Sequence, residues 1–400
     1  MYQPTRRQFI RHALAGFGAL GTGSLWSTVI IGDTVGKSMP LGPADDNGVR
    51  LPAGFRSRIV ARSSQPVVAG SEYRWHAAPD GGACYSRPDG GWIYVSNSEL
   101  KQGGGAGAIV FDPAGNIIDA YAILDGTRNN CAGGATPWGT WLSCEEVSDG
   151  QVWECYPEGG RQAVVRPALG TFKHEAVAVD TINHHLYLTE DVKDSCLYRF
   201  IPAAVSEQRY DLSQGVLQVA RIIKKVEHRS GREAGRRAGK AASIIEWIDV
   251  PDASASELAT RYQVDDAARF NGGEGIAYHD GRVFFTTKGD NRVWRYDIAG
   301  STLDVVYDAS DHLSPVLTGV DNVTVSSDGD ILVAEDGGDL QIVVLDASGG
   351  LRPLMQLVGH EQSEVTGPAF SPDGRRLYFS SQRGVHGHSA AGITYEISGF

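Results

Sequence analysis

Six polar residues stand at the ends of short β-rich runs and recur at a nearly constant spacing. They are Asn97, Glu145, Glu190, Lys288, Glu335 and Gln382. Four of the five intervals between them are 45 to 48 residues long, and the interval from Glu190 to Lys288 is about twice that length. If the runs are equivalent strands of a repeat, these side chains meet in space. The carboxylates among them would then form the kind of oxygen-rich site that hard cations prefer.

Two further sets of residues support this interpretation. Polar residues follow most of the strand ends, namely Glu99, Glu146, Asp191, Asp290, Asn291 and Asp336. A second series precedes strands in Gly-rich loops and comprises Asn130-Cys131, His174-Glu175, Glu274, Asp321-Asn322 and Glu364. Carboxylates crowded together repel one another unless cations or raised pKa values offset the repulsion. Oxygen ligands favour Ca²⁺, whereas a thiolate at Cys131 would favour a transition metal such as iron.

A structural role is the alternative for each of these residues taken alone. A carboxylate at a strand end is often solvated or accepts hydrogen bonds from turn N–H groups. Cys131 could be an inert buried thiol, and a structural role explains His174 as well as metal ligation does. The predicted metal site therefore depends on the whole set and not on one member.

The elements that position these residues are predicted to be the blades of an all-β propeller. A period of roughly 40–50 residues is typical of propeller blades, whose inner strands line a common channel. Turn pairs such as Asp89-Gly90 and Asp328-Gly329 separate the β-rich runs, and long helical periodicity is absent after residue 31. We expect one propeller domain over residues 45–400, with six blades favoured over seven. The long interval is either an extended blade or a degenerate seventh blade.

Charge restricts the partners. The net charge is −12, which argues against nucleic acid because that interface needs a basic field. The basic, glycine-punctuated stretch near residues 221–240 is best explained as a solvated insertion.

The N-terminus resembles an export signal. Thr5-Arg6-Arg7-Gln8-Phe9-Ile10 precedes a modestly apolar run from Ala13 to Ile31, the pattern of a twin-arginine leader over residues 1–35. The alternative is a chance Arg-Arg pair before a buried helix. A twin-arginine leader implies contact with the twin-arginine export machinery, transport in the folded state and a periplasmic or secreted protein. The run is too short and glycine-rich for us to expect a stable membrane span in the mature protein.

Other chemistries lack their motifs. Neither a phosphate-binding glycine loop before a helix nor the G-x-S-x-G nucleophile elbow is present. The five cysteines include no C-x-x-C pair, which excludes a zinc ribbon, and one or two disulfides stay open.

Several segments together resemble the PhoX-type alkaline phosphatase family. The resemblance runs from about Trp75 to the C-terminus, and its most specific part is CAGGATPWGTWLSCEE, from Cys131 to Glu146. Further matching segments are HEAVAVD, TEDVKDSCLYRFIP, GEGIAYHDGRVFFTTKGDNRVWRYD, DNVTVSSDGDILVAEDGG and SEVTGPAFSPDGRRLYFS. The resemblance implies a propeller phosphomonoesterase that uses Fe³⁺ and Ca²⁺ and acts on small phosphorylated substrates.

By motif match, the resemblance also implies roles for individual residues. Cys131 would bind iron, and Glu175, Glu274 and Glu335 would bind metal. Weaker candidates for calcium binding or support are Glu145, Glu146, Glu190, Asp191, Asp321 and Asn322. Asn97 and Glu99 match an asparagine–glutamate motif in which Ser98 stands where a histidine is common. Cys131, Glu274 and Lys288 are the catalytic candidates. Clustered cations would neutralise phosphate oxygens and lower the pKa of a bound water.

One departure from the family pattern affects phosphate binding. Gly272 stands where the family tends to carry an arginine, so a bidentate guanidinium clamp would be lost. Arg269, Lys288 or Arg292 could substitute for it. The competing functions are a calcium-dependent propeller hydrolase such as a lactonase, which would need no thiolate, and a non-catalytic periplasmic propeller with structural metals.

Overall fold

The computed structural model describes residues 40–206, 209–226 and 242–400. The predicted leader at residues 1–35 and most of the predicted insertion lie outside these residues. Regular structure in the described part of the chain is almost entirely β-strand, with five short 3-10 turns. These turns are Pro167–Leu169, Thr260–Tyr262, Lys288–Asp290, Ala309–Asp311 and Ser389–Ala391. No helix within the described residues has the length and hydropathy needed to cross a bilayer.

Strands form four-stranded antiparallel meanders, each starting at the channel. Two strands precede the first meander: β1 (Val49–Arg50) and β2 (Arg56–Arg62). The first meander consists of β3 (Pro79–Ser86), β4 (Trp92–Ser98), β5 (Gly104–Phe111) and β6 (Ile117–Thr127). The second consists of β7 (Asn130–Ala135), β8 (Trp141–Glu145), β9 (Val152–Cys155) and β10 (Val164–Val165). The third consists of β11 (His174–Val179), β12 (Leu186–Glu190), β13 (Leu197–Pro202) and β14 (Gly215–Val226).

An additional strand, β15 (Ala242–Asp249), separates the third meander from the fourth. The fourth meander consists of β16 (Gly273–His279), β17 (Arg282–Thr287), β18 (Arg292–Asp297) and β19 (Thr302–Asp308). The fifth consists of β20 (Val320–Val325), β21 (Ile331–Glu335), β22 (Gln341–Leu345) and β23 (Leu351–Leu357). The last contains β24 (Val365–Phe370), β25 (Arg376–Ser381) and β26 (Ile393–Ser398). The inner strands β3, β7, β11, β16, β20 and β24 contact one another in a closed cycle. The predicted β-propeller is confirmed.

The hydrogen-bonded sheets number five because β15 pairs with both β14 and β19 and joins two meanders into one nine-stranded sheet. Counted by inner strands, the ring has six units. This bridging hairpin explains the long interval in the sequence repeat as an extension and not as a seventh unit. It also corrects part of the predicted insertion, because residues 221–226 belong to β14 and Arg221 pairs with Glu246 across the hairpin.

The hydrophobic core lies between neighbouring meanders. Tyr94 of the first meander stacks on Tyr378 of the last, with ring centroids 4.8 Å apart, and Trp92 donates a hydrogen bond to the Tyr378 hydroxyl. Another cluster joins Phe284 and Val293 to Val333 and Leu345. Because each apolar face is buried only by the next meander, the core and the closed ring depend on each other.

The ring is closed by the N-terminal strand β2, which pairs with β26 as the outer strand of the last meander. Glu396 of β26 is buried at this seam. Its carboxylate pairs with Arg58 of β2 and Arg376 of β25, both at 2.6 Å, and accepts a hydrogen bond from Tyr378. Removing it would leave the buried Tyr378 hydroxyl without its acceptor and would leave Arg58 with only the Gly115 carbonyl as a partner.

We predict that Glu396→Ala lowers the free energy of unfolding by about 2 kcal/mol, because the buried Tyr378 hydroxyl loses its charged acceptor and two partly exposed arginines lose their partner. Chemical denaturation provides the measurement. Arg282→Ala is the control, since Arg282 and Asp297 form an exposed pair at 3.6 Å and its loss should cost less than about 1 kcal/mol. Equal losses in the two variants would contradict the role of Glu396 at the seam.

Candidate metal centre

The second residue of every inner strand faces the channel at one level. These six residues, here called the inner ring, are Asp80, Cys131, Glu175, Glu274, Asp321 and Thr366. In five inner strands the pairing register shifts across this position, and in β24 it shifts directly after it. Such bulges re-aim side chains locally. Five of the six meanders therefore direct a carboxyl or thiol group into the same buried space.

The first residue after every second strand forms another level. This outer ring contains Glu99, Glu146, Asp191, Lys288, Asp336 and Gln382. All of its members except Gln382 are partly exposed, whereas the inner ring is buried. The two rings together surround one opening of the channel, the mouth.

Ligand atoms from the two rings form four overlapping groups, and within each group the atoms lie within 4.8 Å of one another. The groups are Asp80–Glu99–Cys131, Cys131–Glu146–Glu175, Glu175–Glu274–Asp321 and Asp321–Asp336–Glu364. Each group shares a residue with the next, so the mouth is one continuous cluster. It unites six predicted site residues, Glu99, Cys131, Glu146, Glu175, Glu274 and Asp321.

Asp80 is the member that sequence reasoning missed. It accepts hydrogen bonds from the Gly81 N–H at 2.6 Å and from the Gln382 amide at 2.6 Å. Its signal in the sequence is the Gly81-Gly82 pair that follows it, much as Gly133-Gly134 follows Cys131. Asp336 and Glu364 are acidic neighbours in the sequence pattern but are not among the predicted ligands.

Three predicted ligands lie outside the four groups because each is the last residue of a second strand. Glu145, Glu190 and Glu335 stand one residue before the outer ring, and adjacent strand residues point to opposite faces. Their carboxylates instead accept hydrogen bonds from nearby donors. Glu145 accepts from the Arg128 N–H and the Trp153 indole, and Glu190 accepts from the Tyr198 hydroxyl and Arg261. Glu335 accepts from the N–H groups of Thr318 and Gln341. Such contacts hold the loops behind the mouth.

The Asn97 amide is likewise committed to protein partners. Its nitrogen donates to the Cys131 and Ala132 carbonyls at 3.2 and 2.8 Å, and its oxygen accepts from Trp141 and Ser143, both at 2.8 Å. These bonds fix the strand that carries Cys131.

Asn322 and His174 also support neighbouring strands. Asn322 donates to Asp321 at 3.0 Å and accepts from the Gly367 N–H at 2.6 Å, which links two inner strands. His174 contacts the Gly170 carbonyl at 3.0 Å, and burial lowers its pKa to about 3.

Burial is the main influence on the acids of the mouth. It raises the pKa of Asp80, Glu175, Glu274 and Glu364 well above the ordinary range, and the charges of neighbouring carboxylates add to the shift. The same causes raise the pKa of Glu146 to about 8, and burial raises the pKa of Asp321 to about 7. Without cations, several of these groups are therefore protonated at neutral pH.

In two carboxylates of the outer ring, Asp191 and Asp336, contact with a lysine outweighs burial, whereas in Glu146, which also contacts Lys173, burial and the charge of Glu99 prevail. Lys173 lies 2.7 Å from Glu146 and 2.9 Å from Asp191, and Lys288 lies 2.8 Å from Asp336. Burial alone would raise the pKa of Asp191 and Asp336, but the lysines outweigh it and both pKa values are lowered. Asp191, a predicted ligand, thus has a protein cation as its partner and lies outside the four groups.

The centre of the cluster has unused ligand capacity. The Cys131 thiol donates to Glu175 Oε1 at 3.1 Å, while Glu175 Oε2 and Glu274 Oε1 are buried without a hydrogen bond. Burial and the nearby carboxylates raise the pKa of Cys131, so the thiolate that ligates a metal would need a cation beside it. Unpaired buried oxygens are costly. This donor set fits bound metal ions.

Only one of the three substitutes considered for the family arginine lies in the mouth. Lys288 contacts the cluster, whereas Arg292 pairs with Asp290 and Asp308, and Arg269 contacts Asp194 and Cys196. Gly272 has a φ of 72°, and a side chain built there would come within 3.2 Å of Asp191. The position of the missing arginine therefore borders the cluster. All five cysteines are described, and all are free.

The family model of the alkaline phosphatase PhoX matches residues 90–164 and 150–384. The chain belongs to the PhoX alkaline phosphatase family. The predicted resemblance is thereby confirmed, and with it the assignment to the PhoX type of metal-dependent phosphoester hydrolases. No curated protein matches the chain.

Two solved structures show the same fold. Pseudomonas fluorescens PhoX in complex with vanadate, a transition-state analogue, has 18% sequence identity and a TM-score of 0.72 over 90% of this chain and 97% of that one. A structural-genomics protein of unknown function from Bacteroides thetaiotaomicron has 9% identity and a TM-score of 0.50, over 86% of this chain and 76% of that one.

We predict that the metal-free protein loses thermal stability as the pH rises from about 5 to about 8. Unfolded carboxyls ionise near pH 4, whereas folded Glu146 keeps its proton to about pH 8 and Asp321 to about pH 7. The folded state thus binds more protons in this window, so stability falls with rising pH. Calorimetry provides the measurement, and CaCl₂ at pH 8 should restore the melting temperature.

The double variant Glu146→Gln/Asp321→Asn is the control for this pH dependence. It removes two of the acids with raised pKa values and should make the decline shallower, while Asp80, Glu175, Glu274 and Glu364 still contribute to it. A metal-free wild type whose melting temperature is constant or rises over the same window would contradict the assignment.

Proposed function

We propose that this member of the PhoX family hydrolyses phosphomonoesters at the mouth, with metal ions held by the two rings. The observation that carries the proposal is the centre of the cluster, where Cys131, Glu175 and Glu274 converge and two buried carboxylate oxygens have no hydrogen bond. An anionic phosphate cannot approach so many carboxylates unless cations screen them. Bound cations would supply that screening, polarise the phosphoryl oxygens and activate a water nucleophile.

The groups differ in the ions that they suit. Cys131–Glu146–Glu175 contains a thiol, and a soft thiolate among carboxylates selects a transition metal, for which we propose Fe³⁺. Glu175–Glu274–Asp321 contains only carboxylates and suits Ca²⁺. Glu175 belongs to both kinds of group and would place the two kinds of ion side by side.

The protein side chains have tasks of their own in this proposal. Glu175 accepts the Cys131 hydrogen bond and would hold the thiol proton until a cation displaces it. Asn97 keeps the strand of Cys131 in register through two carbonyl contacts. The ammonium of Lys288 keeps positive charge at the rim beside Glu274. The glycine at position 272 leaves the neighbouring rim free of any side chain.

The substrate class is inferred from the charge and the opening of the mouth. Partly exposed outer-ring residues border the cluster, so a phosphoryl group can enter while its alcohol portion stays outside. Small phosphorylated molecules fit this access. We further propose that the twin-arginine motif at Arg6-Arg7 directs export of the folded, metal-loaded protein to the periplasm or beyond.

We expect the protein produced in a host that exports it to contain iron and calcium and to hydrolyse p-nitrophenyl phosphate. Asp321→Asn should lower kcat/KM by at least about 100-fold, because Asp321 belongs to two groups. Asp328→Asn is the matched control, since Asp328 is an exposed turn residue of the same meander. Calcium without iron, and no phosphatase activity, would contradict the proposal and favour a calcium hydrolase or a non-catalytic propeller.

We expect Cys131→Ser to lose its iron while retaining calcium, because a serine hydroxyl is a poor replacement for a soft thiolate. Elemental analysis of the purified variant measures both ions. Cys155→Ser is the control, since Cys155 is a buried free cysteine of the same meander and lies outside the four groups. Iron at the wild-type level in Cys131→Ser would remove the thiolate assignment.

A further inference from the structure

One member of the outer ring has the opposite charge from its counterparts. Four positions of this ring carry the acids Glu99, Glu146, Asp191 and Asp336, and one carries Gln382. The remaining position carries Lys288, directly after β17. The propeller thus directs an ammonium group into a space where other meanders direct carboxylates.

The ammonium lies between two of the candidate metal groups. Its nitrogen is 2.8 Å from Asp336, 3.5 Å from Glu274 and 3.9 Å from Asp321. Asp321 is the residue that Glu175–Glu274–Asp321 and Asp321–Asp336–Glu364 share. A single positive charge therefore serves carboxylates of both groups, as a bridging metal ion would.

The backbone fixes Lys288 in this place. Its N–H donates to the Gly272 carbonyl at 2.9 Å, and the next N–H, of Gly289, donates to the Asn271 carbonyl at 2.9 Å. A side chain on Gly289 would collide with Asn271, since its Cβ would come within 2.4 Å. The turn after β17 is thus packed closely against the loop before β16, so the backbone of Lys288 cannot shift without disturbing both.

Neighbouring positions show weaker forms of the same arrangement. Gln382 donates to Asp80 and to Glu99, both at 2.6 Å, and Arg383 pairs with Glu364 at 2.8 Å. The side of the mouth near Asp336 is therefore supplied with positive charge by the protein. Glu175 Oε2, by contrast, is buried with no hydrogen-bond partner, and Glu274 Oε1 has only the ammonium of Lys288 at 3.5 Å.

We propose that the ammonium of Lys288 takes the place of one divalent cation in the mouth and so limits how many ions the cluster binds. Lys288 contacts Asp321 and Asp336, and Arg383 contacts Glu364, so every acid of the group Asp321–Asp336–Glu364 has a protein cation beside it and the group needs no ion of its own. This inference rests on the metal site of the proposed function, but it concerns ion number and not turnover. Removing the ammonium opens a site for a divalent cation between Asp336 and Asp321.

The test compares Lys288→Met with Lys288→Arg and with wild type, using CaCl₂ as the probe. Bound calcium per chain is measured by elemental analysis after dialysis at a fixed free concentration. We expect Lys288→Met to bind about one more Ca²⁺ than wild type, because three carboxylates offer enough oxygens for a hard cation. Lys288→Arg keeps the charge and should bind the same number as wild type. Unchanged or lower calcium content in Lys288→Met overturns the inference.

A double variant excludes indirect effects. Lys288→Met/Asp336→Asn removes the ammonium together with its nearest carboxylate and should not gain an ion. A gain in the double variant would show that the additional calcium binds elsewhere, and would overturn the inference. If Lys288→Met folds only with added CaCl₂ while the double variant folds without it, the inference is supported. Failure of CaCl₂ to rescue folding counts against it.

The outcome is separable from that of the proposed function. Calcium content that depends on Lys288 in a protein without phosphatase activity would sustain the inference and contradict the function. Phosphatase activity in a protein whose calcium content does not change when Lys288 is replaced would support the function and contradict the inference.

Discussion

The mutual repulsion of acids held at one level of a closed ring is the constraint on which the rest of the structure depends. Two unit charges 4.8 Å apart, the span of one ligand group, interact by about 3 kcal/mol at an effective dielectric constant of about 20. That exceeds the net contribution of a typical hydrogen bond, which is about 1 kcal/mol. The same repulsion acts within each of the four overlapping groups. The cluster therefore requires protons or cations at every pH at which the protein folds.

The surrounding residues offset part of the repulsion between the acids. Lysines at positions 173 and 288 pair with outer-ring acids, and Gln382 donates to two carboxylates at once. At the centre, by contrast, the thiol of Cys131 has one carboxylate partner and Glu175 has an oxygen with none. Positive charge from the protein thus decreases from the rim to the buried centre. The centre is where an external cation stabilises the fold most.

The second-strand glutamates make this crowding tolerable. Glu145, Glu190 and Glu335 use their carboxylates to bind loop donors directly behind the outer ring. They hold the adjacent outer-ring residue in place although it faces like charges. Gly272, where the family resemblance predicts an arginine, lies at the rim, and Lys288 hydrogen-bonds to its backbone.

Part of this molecule was determined by the sequence alone. The period of about 47 residues predicted the propeller, and the Gly-rich loop series identified Cys131, Glu175, Glu274 and Asp321, which the inner ring contains. The repeat period and the loop series can both be recognised without a structure, because they depend only on chain order and on residue type. The acids of a repeat must meet wherever its inner strands close into a ring.

Only the tertiary structure decided the register. Glu335 and Asp336 are adjacent acids, yet a step of one residue along a strand turns the side chain to the other face, and a bulge in every inner strand re-aims the side chains beside it. Asp80 was overlooked for the same reason. The bridge through β15 was also invisible, because it depends on pairing with β19, far along the chain. Spacing shows which residues meet, but hydrogen-bond register shows which of them face one another.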